Sequence, residues 1–410
     1  MMSEIKKLIH LLQDFPLFFL CGISAGVLGY AFRQSIAYAG NLFHLYPRLI
    51  ILLPVTAILV SSLYQLTLKK RKNGAKTVIS AVRNNSSLKS VQLPLVFLSS
   101  FFTHLTGGSA GREGAVLEMG GIIGDRAAAL YRSSIQKERR HHKNRSHLIE
   151  MTFSTRRRVA ILCGMAGAFS ALFVTPLAAA FFVLEVTDSR QILHRFVPVF
   201  TTSMISFSVV CLLGWEPTRL PYHLPDILPT GSLLRAALLV AACSLVGRFF
   251  CLMIKSVPRL TRLYLRNAPL RALILSIGVV GLTFFLKTDR YNGLGTEAIN
   301  EALLGRGEYF DFFWKTLMTA LTLSAGLKGG EIIPAVFVGA TFGAAFSPLI
   351  GFLPDLGAAI CVVGILAAVA KVPIAAFLLG IELFGVEGTF FYAVASVICF
   401  FLSGKEGLYS

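Results

Sequence analysis

Charge is scarce in this sequence. Of 410 residues, 15% are Asp, Glu, Lys or Arg and 55% are hydrophobic, giving a mean hydropathy of +0.69. A soluble domain carries about a quarter charged residues, because its surface faces water. The shortage excludes an ordinary soluble globule and requires much of the surface to face lipid. Cysteine patterns are missing as well. Cys21, Cys163, Cys211, Cys243, Cys251, Cys361 and Cys399 show no CxxC and no Cys/His spacing, and nearly all lie in apolar segments. Buried cysteine behaves as a small hydrophobe, so neither disulfides nor a metal site is expected. No small-residue cleavage site follows the first apolar segment, which therefore reads as a retained membrane helix. A nucleophile–base pair and an intramembrane His/Asp cluster are also lacking, which argues against an enzyme and against any cofactor. His104 reads as a helix-end residue and His141-His142 as part of a solvated loop.

What the chain does have is apolar runs: Phe15–Phe32, Leu49–Leu68, Phe196–Leu213, Ala236–Ile254 and Phe390–Leu402 are nearly uncharged. About 20 apolar residues cross a bilayer as a helix. The net charge of +18 collects in short loops, at Lys69–Lys72, from Arg132 to Arg158, and from Lys255 to Arg271. Such loops mark the cytoplasmic side of a membrane protein, so positive-inside topology is preferred over a nucleic-acid partner. A multi-pass protein of the cell membrane follows, with both termini expected in the cytoplasm.

Other apolar segments read as too short to cross alone: Gly114–Leu130, Pro334–Leu349 and Pro373–Phe384. Interrupted helices in matching places of two halves point to a transporter's central site. The halves do match. Ser109-Ala110-Gly111 opens a stretch ending in Gly120 and Gly124, and Ser324-Ala325-Gly326 opens one ending in Gly339 and Gly343. Pro176 then begins PLAAAFFVLE, ending at Glu185, and Pro373 begins PIAAFLLGIE, ending at Glu382. The expected division is residues 1–230 and 231–410 within one structural domain. A basic cytoplasmic loop near 132–158 lengthens the first copy, and no appended domain is expected after Ser410.

Two glycine clusters carry candidate chemistry. In GGSAGREGAVLEMGG, Glu113 lies between Gly111 and Gly114 where an apolar helix starts. Amides at a helix start attract negative charge, and glycine lets the backbone approach an ion. A carboxylate there can occupy an anion site as a tethered anion and leave it on protonation. The plainer alternative is a loop glutamate paired with Arg112. In SAGLKGGEIIPAVFVGATFGAAF, Gly330 precedes Glu331, and Pro334 suits the first turn of the next helix. The amides from Gly330 to Ile333 are then free to face an anion. Glu331 is expected to be a buried second carboxylate; its alternative is an acidic helix start.

The first cluster resembles the GREGP signature of the CLC anion transporters, and the second resembles their GGxFxP signature. KNGAK, Lys72 to Lys76, occupies the place of the family's GSGIP, and GKEGLYS, Gly404 to Ser410, resembles its central-tyrosine segment. The resemblance implies an all-α integral membrane fold, an inverted repeat of two halves with many short, broken helices, usually as a homodimer. It makes Glu113 the external gate, flanked by Gly111, Arg112 and Gly114, and Tyr409 the inner constriction. Asn73, Gly330, Glu331, Ile332 and Ile333 would join Tyr409 around the anion.

Several positions depart from the chloride-carrying pattern: Ala115 for proline, Asn73 for serine, Val186 for the inner proton glutamate, and Glu331 for an apolar residue. The set resembles the family's fluoride–proton antiporter branch, although that branch leads one to expect threonine where Ala115 and Ile333 stand. The implied function is export of fluoride in exchange for protons, with a chloride exchanger or channel as the alternative. Glu118, where the family commonly has glutamine, is either functional or a helix-packing hydrogen-bonder. Glu185 and Glu382 read as structural.

Overall fold

The computed structural model describes residues 2–67, 74–138, 146–187, 192–215 and 231–409. These form the helices α1 (Met2–Leu45), α2 (Leu53–Thr67), α3 (Gly74–Asn84), α4 (Gln92–Leu105), α5 (Glu113–Glu138), α6 (Ser146–Phe173), α7 (Pro176–Val186) and α8 (Ile192–Leu212). There follow α9 (Ser232–Tyr264), α10 (Ala268–Leu286), α11 (Thr296–Leu303), α12 (Asp311–Ala325), α13 (Ile332–Phe346), α14 (Pro354–Ala370), α15 (Pro373–Phe384) and α16 (Thr389–Leu402). Prolines open α7, α10, α14 and α15 within their first turn, where a missing N–H does no harm.

Six stretches among the described residues are long and apolar enough to cross a membrane: Asp14–Leu45, Pro47–Thr67, Arg195–Leu212, Ser232–Tyr264, Ala268–Leu286 and Ile332–Ile350. Two of the segments expected to be short are longer. The Gly114–Leu130 stretch belongs to a 26-residue helix, and the Pro334–Leu349 stretch belongs to the crossing-length Ile332–Ile350. Their glycines do not break the helices because they serve as contact points with a neighbouring helix. Phe390–Leu402 lies in the 14-residue α16, short of a full span.

Those contacts repeat. A Cβ added to Gly120 or Gly124 of α5 would lie 2.3 Å from Gly164 O or 2.0 Å from Ala160 O of α6. Gly339 and Gly343 of α13 meet α14 the same way, 2.6 Å from Cys361 O and 2.2 Å from Gly357 O. Small residues four apart let helices in lipid pack backbone to backbone. The partner helices then break alike. After α6 come Val174 (φ 61°), Thr175 (φ −128°) and Pro176; after α14 come Lys371 (φ 61°), Val372 (φ −127°) and Pro373. The register set by the glycine pairs makes Gly111 the counterpart of Gly330, since each stands nine residues before the first glycine of its pair. The match of Ser109–Gly111 to Ser324–Gly326 is thereby corrected: the second copy carries a longer approach to its helix.

The chain forms two compact units. The first takes α1 through Arg33, α4 through Val96, α5 from Val116, and α3, α6, α7 and α8. Hydroxyls tie its helices, Ser206 Oγ donating to Gly167 O (2.6 Å) and Ser203 Oγ to Pro176 O (2.7 Å). The second takes α1 from Gln34, α2, Phe97–Ala115 and α9 to α16, with α14 buried along its whole length after Asp355.

Candidate functional site

Gly111 and Gly330, both in the second unit, exchange two backbone hydrogen bonds of 2.7 Å each. From this one bridge two helices begin, α5 at Glu113 and α13 at Ile332. The first amides of a helix have no partners within it and attract negative charge. Glu113 takes up that role. Its side chain is 0% exposed, and its carboxylate folds back between the two glycines: a Cβ on Gly111 or on Gly330 would lie 2.3 Å from Oε2. Neither oxygen has a well-aligned hydrogen bond, and the amides that face it belong to Arg112, Glu113 itself and Ile333. Arg112 supplies the nearest opposite charge without a direct ion pair, and its Nε is buried with no partner. The glutamate side chain therefore lies among backbone dipoles and is not half of a salt bridge.

Glu331 immediately precedes α13, yet its carboxylate does not cap that helix. Its Oε2 lies 3.8 Å from the place a Cβ on Gly114 would occupy, so it approaches the Glu113 turn. It is half-buried, not buried as expected, because it stands outside the packed body of its helix. Tyr409 is 6% exposed with a buried hydroxyl that has no partner, and Glu331 and then Glu113 are the carboxylates in its field. Its segment is held by Leu408 N donating to Val369 O (2.7 Å) and by Lys371 Nζ on Ser403 Oγ (2.6 Å).

Gly111, Arg112, Glu113, Gly114, Gly330, Glu331, Ile332, Ile333 and Tyr409 thus gather in one region. Asn73 lies outside the described residues. One assignment changes: the Gly330 N–H is not free for an anion, because Gly111 O takes it. Gly330 enters the site through the side chain it lacks. In the first unit, Gln92 Nε2 donates to Glu118 Oε1 (3.3 Å), the helix-packing role. Val186 ends α7, where its carbonyl accepts from Arg83 Nη2 (3.1 Å). Among the described residues no cluster of three or more His, Cys, Asp or Glu is arranged to hold a metal.

Sequence reasoning missed the groups that hold the segment before Glu113. His104 is buried in the last turn of α4, with Nδ1 2.8 Å from Ser100 O and Nε2 3.2 Å from Ala110 O. Ser109 N donates to Thr322 Oγ1 (3.2 Å), and Asn292 Nδ2 donates to Gly107 O (2.8 Å). Lys315 is 0% exposed and donates to Tyr291 O (3.1 Å) and Gly293 O (2.9 Å). A lysine inside the apolar stretch DFFWKTLMTALTLSA was the available signal, since an ionisable residue at membrane depth is costly.

Residues 56–404 match the family model described as voltage gated chloride channel. Over 402 residues the chain is 27% identical to the chloride/fluoride channel protein of Pseudomonas syringae pv. tomato, covering 95% of this chain and 84% of that one. Its structure is similar to the crystal structure of a CLC-type fluoride/proton antiporter, with TM-score 0.86 and 25% identity over 98% of each chain. A slow cyanobacterial Cl−/H+ antiporter shares the fold, with TM-score 0.78 and 16% identity over 96% of this chain and 95% of that one.

Proposed function

The chain belongs to the voltage gated chloride channel (CLC) family, and from that premise we propose that it is a secondary transporter expelling fluoride in exchange for protons. The observation that carries this reading is the Glu113 carboxylate, fully buried among the helix-start amides where a free anion would sit. An anion and the ionised carboxylate compete for the same amides. A proton on Glu113 cancels its charge, releases it from them and admits the anion. Each passage is thereby linked to a proton. Glu331, beside the Glu113 turn, and Tyr409, in the field of both carboxylates, would continue the path, and Glu331 supplies a second proton-carrying group where Val186 removes another. The fluoride/proton antiporter similar over 98% of both chains supports fluoride as the anion. The transporter would work in the cell membrane as a homodimer, one path per subunit.

Chloride is the second reading, favoured by Ala115 and Ile333 where the fluoride branch leads one to expect threonine. Reconstitution in liposomes with fluoride and chloride electrodes decides between them. Faster fluoride efflux that carries protons inward is expected, and Glu113→Gln should move anions without protons. Proton pumping at the wild-type rate by that variant would remove Glu113 from the mechanism. Chloride outrunning fluoride would establish the second reading.

A further inference from the structure

We propose that Lys315 and Asn292 are positioning residues that hold the gate-bearing segment Gly107–Gly111 in register with Gly330 and so keep anion movement tied to protons. This inference rests on the exchange proposed above. The segment reads Gly-Gly-Ser-Ala-Gly and has no bulky side chain to anchor it. Its position therefore comes from bonds made to its polar groups by other elements. Two of these come from one turn between α10 and α11: Asn292 Nδ2 donates to Gly107 O (2.8 Å), and Gly293 O accepts from Ala110 N (3.3 Å).

The turn is in its own right held from α12. Lys315 Nζ donates to Tyr291 O (3.1 Å) and to the same Gly293 O that receives Ala110 N (2.9 Å). Nζ also lies 5.1 Å from the centre of the Phe337 ring, so it meets two carbonyls and an aromatic face. Tyr291 Oη donates to the buried Asp311 (2.8 Å), which Arg290 Nη2 also binds (3.0 Å). At Gly295, close to Nζ, no side chain fits. Gly295 has φ +76°, and a Cβ there would lie 2.6 Å from Phe337 Cδ2 and 3.2 Å from Nζ. One carbonyl, Gly293 O, thus transmits the position of a buried lysine to the segment that ends in Gly111. From Gly111 to the Glu113 carboxylate there is one glycine contact.

The test uses Lys315→Met and Asn292→Leu in the full-length reconstituted protein; leucine keeps the asparagine's branched outline and heavy-atom count and removes its donor. Two quantities are read: protons moved per anion, and hydrogen exchange of the Gly108–Gly111 amides. The ratio does not depend on how much protein has folded, so a merely structural defect leaves it unchanged. The expected result is a fall in the ratio together with amide exchange about threefold or more faster, the scale of one lost hydrogen bond, confined to this segment. A wild-type ratio in both variants overturns the proposal. Should Lys315→Met not fold, Asn292→Leu decides alone. Should the wild-type protein move anions without protons, the exchange reading fails and the amides decide: protection equal to wild type overturns the positioning role, and a local loss supports it.

Discussion

At Gly111 and Gly330 the same missing atom has two different consequences. A Cβ on Gly111 meets first the Glu113 Oε2 at 2.3 Å, and only then Gly330 O and Pro334 Cδ at 3.0 Å. The nearest obstacle is the end of a flexible side chain, which can swing aside. On Gly330 the second and third obstacles are backbone, Gly114 N at 2.7 Å and Glu113 N at 2.8 Å, and these cannot yield without opening the crossing. Gly111→Ala should therefore fold with a melting temperature close to wild type and leak anions, because its methyl keeps the carboxylate out of its place. Gly330→Ala should lose about 1–3 kcal/mol, the usual cost of overpacking. Thermal unfolding in detergent together with anion efflux checks both. Equal stability of the two variants would show that the bridge is looser than its 2.7 Å bonds suggest.

Helix breaks matter at the next scale, and the one at Val174 sets two effects against each other. A β-branched residue at φ 61° is strained by about 1–2 kcal/mol. Its side chain is buried with Ala171 and Val210 against Tyr30, Phe207 and Trp215, worth about 1.5–3 kcal/mol. Glycine would relieve the strain, lose that burial and add about 0.5–1 kcal/mol of unfolded-state freedom. Val174→Gly is thus expected to be destabilising by about 1 kcal/mol, a small fall in melting temperature. A rise would mean that strain outweighs packing at this break. The break shows what was legible in the sequence and what was not. Pro176 and Pro373 mark the restarts of α7 and α15 because proline fixes φ and lacks an N–H. Nothing local marks Val174 or Lys371 as left-handed, since that conformation is imposed by the helices packed around it. The two glycine clusters were legible for a similar reason: close backbone approach leaves glycine little alternative. The hold on Gly107–Gly111 was not, because Lys315 and Asn292 reach it from far along the chain through backbone carbonyls.

Coupling belongs to the whole molecule, since no single residue fixes the ratio of two fluxes. Exchange of an outgoing anion for an incoming proton stops when the two gradients balance. With the membrane voltage clamped at zero, balance requires the anion to accumulate on the acidic side. One pH unit is worth about 1.36 kcal/mol per proton, which sustains a tenfold anion ratio if one anion moves per proton. If two anions share each proton, the same gradient sustains about a threefold ratio, because its energy is divided between them. Liposomes holding equal anion on both sides, given one unit of pH difference and a potassium ionophore to clamp voltage, should therefore build an anion gradient from none. Its final size reads the stoichiometry, and Glu113→Gln should build none at all. A passive pore gives a ratio of one whatever the pH, because it has no means of converting proton free energy into anion movement. A final ratio of one in the wild-type protein would leave the fold and the anion path standing and would remove the exchange.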